Sequence, residues 1–586
     1  MTSAPSNHDI ANLMYTIADT MEIMGEDRFR YQAYRRAGDA IQELPATLSS
    51  YRERGELETL PGVGKAIAAK IGELLDTGKL VFYERLQEKI PATVLEMLRV
   101  PGVGPRTVGR LYRELGIDSL TALKKAAEEG TLNNVKGFGN KTVEGILQGI
   151  AVAEQLDRRT LLSEALKSAE AIISSLHQVL PSIQHISYAG SLRRARQTIG
   201  DLDILAAADD PTAVVQVFIN LPNVTQVVSS GNEKATVYLH SGLQADLIAL
   251  KPAMWGSALL HFTGSQAHNI RFRELALARG LSFSEHGFKR ADGTMRTCAT
   301  EEEAYAAINL PWIPPELRED AGEFEAARNG TLPTLLDIAD IKADLHMHST
   351  WSDGKASIRE MAETAKGLGH HFIVITDHSA YLGITNGLDT ARLRQQALEI
   401  AEINAELEAR GESFRVLRGI EVDITPDGAL ALPDKVLADL DVVVASPHAN
   451  LRQPPEKATE RLLRAIRNPH VDIIGHPTGR LIGEREGADI DINVIGRAAA
   501  DTGTFLEVNS GPDRLDLDAL SVHHVLDLGA TIVVNSDAHH PDHLQWIRLG
   551  ALTARRGWAS SERVANTWGY DRLMEWVRRN DTQVGK

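Results

Sequence analysis

The 586 residues, 43% hydrophobic and 24% charged, supply about three to five domain-sized cores and exclude wholesale disorder. One cysteine, Cys298, excludes a disulfide scaffold and any multi-cysteine zinc or iron–sulfur site; with no basic-then-apolar leader and no apolar run near the roughly 20 residues of a membrane span, a cytoplasmic chain without a membrane partner is expected. The net charge of −17 excludes a generally basic nucleic-acid coat but leaves local phosphate binding open.

Residues 1 to about 150 read as helices separated by short glycine turns. One pattern, apolar-x-Gly-apolar-Gly before a helical run, recurs at 60–65, 100–105 and 135–140, about 40 and then 35 residues apart. Glycine permits positive φ and lets a ligand approach the backbone closely. A helix starting just beyond it aims several N–H groups at one point. Gly62 and Gly64, Gly102 and Gly104, and Gly137 and Gly139 are therefore candidate holders of DNA phosphates. Lys65, Arg106 and Lys141 follow one or two residues past the second glycine. Such contacts position a duplex without reading its sequence.

From about 153 the pattern becomes α+β. A helix over 161–179 precedes strand-like runs at 186–189, 204–207, 224–229, 236–240 and 245–250. Gly190 and Ser191 offer a close backbone approach and a hydroxyl, and Arg194 a cation for triphosphate oxygens. Asp201 and Asp203 share one strand face while Leu202 packs behind them. Two carboxylates on one face repel and want a divalent cation. Asp246, on a later strand, completes a set of three. Three carboxylates can hold two Mg²⁺ about 3.5–4 Å apart, which activate a hydroxyl and stabilise a leaving pyrophosphate.

Residues 310–340, with Pro311, Pro314, Pro315 and Pro333, read as a linker. Beyond 341, short apolar strands at 372–376, 442–445, 473–475, 505–508 and 531–534 alternate with helices, as in a β/α barrel. Of the 20 histidines, 13 lie here. His346 and His348 share a strand face, Asp353 follows on a loop, and His378, Glu421, His448, His476, Asp537 and His539 stand at further strand ends. In a β/α barrel those ends converge on one face. Nine such ligands suit two or three ions of Mn²⁺, Zn²⁺ or Fe²⁺ character. His370, His371, His470, His523, His524 and His540 lack this placement and read as structural or solvated.

The Gly-Ser…Asp-x-Asp pattern resembles the nucleotidyltransferase superfamily. With glycine hairpins before it and Leu260, His261, Phe262, Thr263, Gly264, Ser265 and Asn269 after it, the stretch 1–320 resembles the family X DNA polymerases. The resemblance implies that Asp201, Asp203 and Asp246 bind catalytic Mg²⁺ or Mn²⁺, with Asp246 as base for the primer 3′-hydroxyl. It implies that Gly190, Ser191 and Arg194 touch the triphosphate, that Phe262, Gly264 and Asn269 line sugar and base, and that Arg273 reaches the template-side minor groove. Two positions depart from the family. Ile248 stands where an arginine is frequent, which bears on closure of the site, and His261 where a tyrosine is common, which bears on rejection of ribonucleotides. The first hairpin also resembles a deoxyribose-phosphate lyase region, with Lys70 at the Schiff-base position and Ala66 in place of a supporting lysine. The nine late ligands resemble the metal set of the PHP (polymerase and histidinol phosphatase) superfamily over about 341–575. That implies metal-activated hydroxide attacking phosphorus and, beside a polymerase, 3′→5′ cleavage of DNA.

The expected chain is multidomain: a helical, lyase-like DNA-binding domain (1–85), a helix-hairpin-helix subdomain (86–152), an α+β nucleotidyltransferase palm (153–255), a nucleotide-selection subdomain (256–320), a linker (321–340) and a distorted β/α barrel of PHP type (341–575). The expected function is gap filling in DNA repair, base excision repair included, with 3′-end processing by the barrel. Gapped or primer-template DNA and deoxynucleoside triphosphates are the expected partners of a monomeric chain. A competing reading makes the barrel the main activity, a nuclease or phosphoesterase, and the polymerase module a DNA clamp weakened by Ile248.

Overall fold

The computed structural model describes residues 7–578 apart from 43, 45–47, 101–102, 135–137, 140–141, 148, 151–158 and 382–384. The chain divides into two units. Met1–Thr160, Ala171–Ala189 and Gly200–Leu310 form one; Leu161–Glu170, Gly190–Ile199 and Pro311–Lys586 form the other. The palm segment is thus divided, because Gly190–Ile199 groups with the second unit.

In the first unit, helix α1 (Asn7–Met24) places Ile10, Met14, Ile17 and Met21 at helical spacing on one buried stripe. That stripe packs with Tyr31 and Tyr34 of α2 (Arg28–Gln42) and Ile67 and Ile71 of α3 (Lys65–Thr77). Ile23, at the end of α1, joins a second core with Val94, Val108 and Leu111, the last two on α4 (Pro105–Leu115). The palm sheet has five strands: β1 (His185–Tyr188), β2 (Asp201–Ala207), β3 (Val224–Ser230), β4 (Lys234–Leu239) and β5 (Gln244–Leu250). Their order is β1-β2-β5-β4-β3; β2 and β5 run parallel and the other pairs antiparallel. Past residue 203, β2 is buried on both faces, as a central strand must be. Helices α5 (Trp255–Thr263) and α6 (Gln266–Leu277) and a small sheet of β6 (Leu281–Ser284), β7 (Gly287–Arg290) and β8 (Met295–Arg296) follow. Their core is aromatic: the Phe272 ring centroid lies 4.7 Å from Phe283 and 5.3 Å from Tyr305.

The second unit is built on seven parallel strands in sequential order: β9 (Ala343–Asp344), β10 (Phe372–Ile375), β11 (Arg415–Asp423), β12 (Val442–Ser446), β13 (Ile473–Ile474), β14 (Phe505–Asn509) and β15 (Ile532–Asn535). A parallel bridge between Met347 and Ala538, and a bond from Leu345 N–H to Asn535 Oδ1 (3.1 Å), join first strand to last, so the barrel is nearly closed. The longest of these strands, β11, was not among the predicted runs. Arg415, Arg418, Glu421 and Asp423 interrupt its apolar pattern. Residues 321–340, expected as linker, contain the helix Glu323–Asn329 and place Leu336 in the barrel's core beside Ile420 and Val534. The prolines end elements here without freeing the chain.

Candidate metal centre and nucleotide site

Each barrel strand exchanges its apolar run for a polar group near its C-terminal end, and the shared parallel register brings those ends to one face. Glu421 on β11 is the hub. Its Oε1 lies 3.4 Å from Nε2 of His346, 3.1 Å from Nε2 of His448 and 3.0 Å from Nε2 of His476. Its Oε2 lies 2.8 Å from Nδ1 of His378. Asp537 Oδ1 is 3.0 Å from Nε2 of His348, and Asp353 Oδ1 is 3.4 Å from Nε2 of His539. Ligand atoms gather within 4.8 Å in three overlapping groups: His348, Asp353, His378 and His539; His346, His348 and Asp537; His378, Glu421 and His448. His476 joins through Glu421. All nine positions therefore meet in one cluster.

A second layer of carboxylates orients the imidazoles. His346 Nδ1 is 2.8 Å from Glu507 Oε1, and His448 Nδ1 is 2.9 Å from Asp423 Oδ1, which turns Nε2 of each ring to the cluster. Glu507 also accepts from the His476 N–H at 2.6 Å and the Asn535 amide at 2.9 Å. Neither Glu507 nor Asp423 was singled out from the sequence. The available signal was a carboxylate inside an apolar strand, which must be paired to be buried. His346 Nε2, His348 Nδ1 and His476 Nδ1 are buried without a hydrogen-bond partner among the described residues. An orphaned buried nitrogen costs about 1–3 kcal/mol, and a bound cation removes that cost at any nitrogen it reaches. Burial, then the neighbouring His539 and His378, hold the His348 imidazole well below its ordinary range and hence in the neutral, ligating form. Burial pushes the Glu421 carboxyl up, but His448 and His378 more than reverse it and keep it ionised. At His346, His378 and His448 burial pulls down but the neighbouring carboxylates win and raise the imidazoles, His448 to about 10, so a divalent cation held by this histidine and carboxylate set would take the place of those protons.

In the palm, the parallel register pairs Asp203 with Asp246, and Asp201 with Gln244. Asp201 and Asp203 therefore share a face with Asp246, while Leu202 is fully buried on the other. Asp246 accepts from the Thr236 hydroxyl and from Gln244 Nε2 (2.8 Å), bonds that orient its carboxylate. Burial, then the charge of Asp246, raises the pKa of Asp201. Like charges at that proximity fit a site that carries cations.

Comparison with known proteins finds four stretches that match family models. A helix-hairpin-helix domain family matches residues 5–80, a SAM-like helix-hairpin-helix tandem 94–151, the DNA polymerase beta thumb 258–319 and the PHP domain 344–511. The chain is 41% identical over 576 residues, 98% of its own length and 99% of the relative's, to the DNA polymerase/3′-5′ exonuclease PolX of Bacillus subtilis (strain 168). The chain belongs to the bacterial family X DNA polymerases with a C-terminal PHP domain. More distant relatives each match one part. DNA polymerase lambda of Rattus norvegicus is 24% identical over 54% of this chain and 58% of that protein. A probable phosphatase of Thermoanaerobacter sp. (strain X514) is 28% identical over 41% of this chain and 96% of that protein.

Within this family X polymerase, Gly190 takes a φ of +54° and opens a short helix, Gly190–Arg193, that presents Ser191. Arg194 follows, its Nε bonded to Glu319. Phe262 and Thr263 continue α5, and the chain turns only at Gly264, where φ is +68°. Asn269 donates from Nδ2 to the His261 carbonyl at 2.7 Å, and Arg273 is half-buried on α6. The His261 ring stands edge-on to Phe262 at 4.9 Å, and burial pushes its pKa down to about 4. Ile248, Lys234, Phe262 and Glu285 line a cavity of about 510 Å³, with Ile248 supplying apolar wall at the position of the family's frequent arginine.

Two of the hairpins share one backbone plan. Val63 N–H bonds to Leu60 C=O and Val103 N–H to Val100 C=O, and Gly64 and Gly104 stand as extended N-caps of α3 and α4. Gly62 has a φ of +78°, and a Cβ there would come within 2.8 Å of Arg36 Cβ. At the third, Thr142 and Val143 N–H bond to Gly139 C=O, as Ile67 and Ala68 do to Gly64. Gly102, Gly137 and Lys141 lie outside the described residues. Lys65 is exposed, and Arg106 pairs with Glu22 at 3.1 Å. Lys70 Nζ bonds to the Ala66 carbonyl at 3.3 Å and lies 4.7 Å from the Phe82 ring centre.

Proposed function

We propose that this DNA polymerase and 3′–5′ exonuclease fills short gaps in DNA during repair and cleans the 3′ end with its barrel. The observation that carries the polymerase reading is the register that sets Asp203 beside Asp246 with Asp201 on the same face. Divalent ions held there, Mg²⁺ or Mn²⁺, and two or three Mn²⁺, Zn²⁺ or Fe²⁺ ions in the barrel would acidify the attacking hydroxyl and neutralise phosphoryl oxygens. Asp246, oriented by Thr236 and Gln244, takes the primer 3′-hydroxyl proton. Ser191 and Arg194 hold the triphosphate beside the Gly190 turn. Phe262, Gly264 and Asn269 line sugar and base, and Arg273 reaches the minor groove. The three glycine hairpins hold DNA phosphates through backbone N–H groups, with Lys65, Arg106 and Lys141 nearby, which reconciles DNA binding with an acidic chain. In the barrel, Glu507 and Asp423 fix the imidazoles that hold the ions, so the site is built before DNA arrives. A Schiff-base role for Lys70 has less support, because its amine is engaged by Ala66 and Phe82. We place the reaction in the cytoplasm, with the chain acting as a monomer.

One gapped duplex with a recessed 3′ end tests this reading, with nucleotide addition and 3′ excision timed in the same mixture. Addition that closes the gap faster than excision widens it is the expected result. Excision with only trace addition would overturn it and favour a nuclease that uses the palm as a clamp.

A further inference from the structure

Arg194 is one member of a charged knot. Its Nε donates to Glu319 Oε1 at 3.1 Å. The same oxygen accepts from Arg556 Nη1 at 3.1 Å and lies 3.7 Å from Arg196 Nη1. Arg556 also donates to the backbone carbonyl of Arg194. All four residues belong to the second unit. The side chains of Arg194 and Arg556 are 13% and 12% exposed, so these are largely desolvated ion pairs. Burial pushes the Glu319 carboxyl up, while Arg194 and Arg556 more than reverse it.

Arg556 is itself fixed. It ends α7 (Ile547–Arg556), and a Cβ added to Gly550 of that helix would lie 2.1 Å from Ser510 Oγ and 2.8 Å from Val534 Cγ1. The helix thus rests directly against the ends of β14 and β15, the strands that carry Glu507 and lead to Asp537. A free arginine spreads its guanidinium over many rotamers, and ordering it costs binding energy. A carboxylate on the Nε edge fixes the plane of the group, and a second arginine gripping both that carboxylate and the Arg194 carbonyl fixes the loop beneath it. One carboxylate shared among three guanidiniums leaves the knot net positive, which suits a polyanion.

We propose that Glu319 and Arg556 are positioning residues that hold Arg194 as the triphosphate arm, so that a helix of the barrel sets the geometry of nucleotide binding. This rests on the reading of Arg194 as a triphosphate ligand. The chemistry recognised is the polyphosphate of a deoxynucleoside triphosphate, and the two residues act on that polyphosphate through Arg194 without touching the polyphosphate themselves.

The test is steady-state gap filling by the full chain at varied deoxynucleoside triphosphate, with Arg194→Ala, Glu319→Gln, Arg556→Ala and the doubles that add the latter two to Arg194→Ala. Loss of one charge-assisted bond predicts a KM raised roughly tenfold in each of Glu319→Gln and Arg556→Ala, with kcat nearly unchanged. In the Arg194→Ala background neither should raise KM further. If Arg194→Ala leaves KM unchanged, the reading of Arg194 itself fails. If Arg194→Ala raises KM while both Glu319→Gln and Arg556→Ala leave it unmoved, this inference alone fails. An equal rise from Glu319→Gln with and without Arg194 would also overturn it, since the effect would then not pass through the arginine. Glu319→Gln keeps shape and volume, so it answers the question if Arg556→Ala does not fold.

Discussion

The palm and the barrel, both proposed above to hold cations against phosphorus, are built in opposite ways. The palm offers three carboxylates near the starts of β2 and β5, none of them fully buried. Asp246 has its carboxylate held by two neighbouring side chains, Thr236 and Gln244. The barrel buries His346, His348 and Glu421 completely and backs its imidazoles with Glu507 and Asp423. Hard carboxylates near solvent suit an ion that arrives with the nucleotide and leaves with pyrophosphate. Buried imidazoles with fixed tautomers suit ions that stay. On the proposed function, one site would be completed by its substrate and the other would be complete beforehand.

The comparison breaks most sharply if the two sites cannot be silenced separately. Asp203→Ala removes the carboxylate paired with Asp246 and should lower gap filling by roughly a hundred- to a thousandfold, as loss of a central electrostatic element does. Excision of 3′ nucleotides should persist. His346→Ala or His476→Ala should do the reverse, lowering 3′ excision by more than roughly a hundredfold, since second-layer changes alone reach that size, while gap filling stays largely intact. Both activities are read on one labelled gapped duplex. Joint loss in any single variant that remains folded would mean one shared site.

How the sequence announced each site follows from the same contrast. The clustering of the nine barrel residues was legible because parallel strands end together, so an apolar run closing on histidine or aspartate already says where the side chain goes. Glu421 needed only that logic, although β11 itself was hidden by its own charges. Glu507 was not legible: it sits mid-strand, and its partner His346 is 161 residues earlier. Glu319 was hidden for a similar reason, being 125 residues from Arg194. Sequence spacing reveals groups that share a strand or a turn. It is silent on the partner that a distant element delivers. The linker expected at 321–340 failed because proline density marks where elements stop, whereas packing, here of Leu336, decides whether the chain between them is free.

A finer probe asks whether the barrel is complete beforehand because of its second layer. Glu507→Gln keeps the shape of the side chain but weakens its hold on His346 Nδ1. Metal affinity should fall roughly 10- to 100-fold, the usual cost of losing such a partner. Excision should then recover at high Mn²⁺, and the purified variant should carry less metal by elemental analysis than the parent. Gap filling should not change. A variant with full metal content and unaltered Mn²⁺ dependence would mean that the imidazoles are held by packing alone.

The smallest expected effect concerns His261, and its sign follows from its surroundings. Burial holds the folded imidazole at about 4, against an ordinary value of 6.5. A depressed histidine binds its proton more readily when unfolded, so its contribution to stability is full above pH 6.5 and is lost as pH falls toward 4. His261→Tyr removes that group, and the unfolding temperature of the first unit should then fall less between pH 7 and pH 5 than in the parent. Since the ring is neutral at pH 7, the substitution changes bulk rather than charge beside Phe262 and the Asn269 contact. Discrimination against ribonucleotides should therefore rise by roughly tenfold or less, the scale of a steric adjustment in a pocket. The ratio of kcat/KM for a deoxynucleotide and its ribonucleotide, taken at pH 7 and pH 8, separates the two causes: a steric effect is equal at both, and a ratio that moves with pH would place a charge at this position.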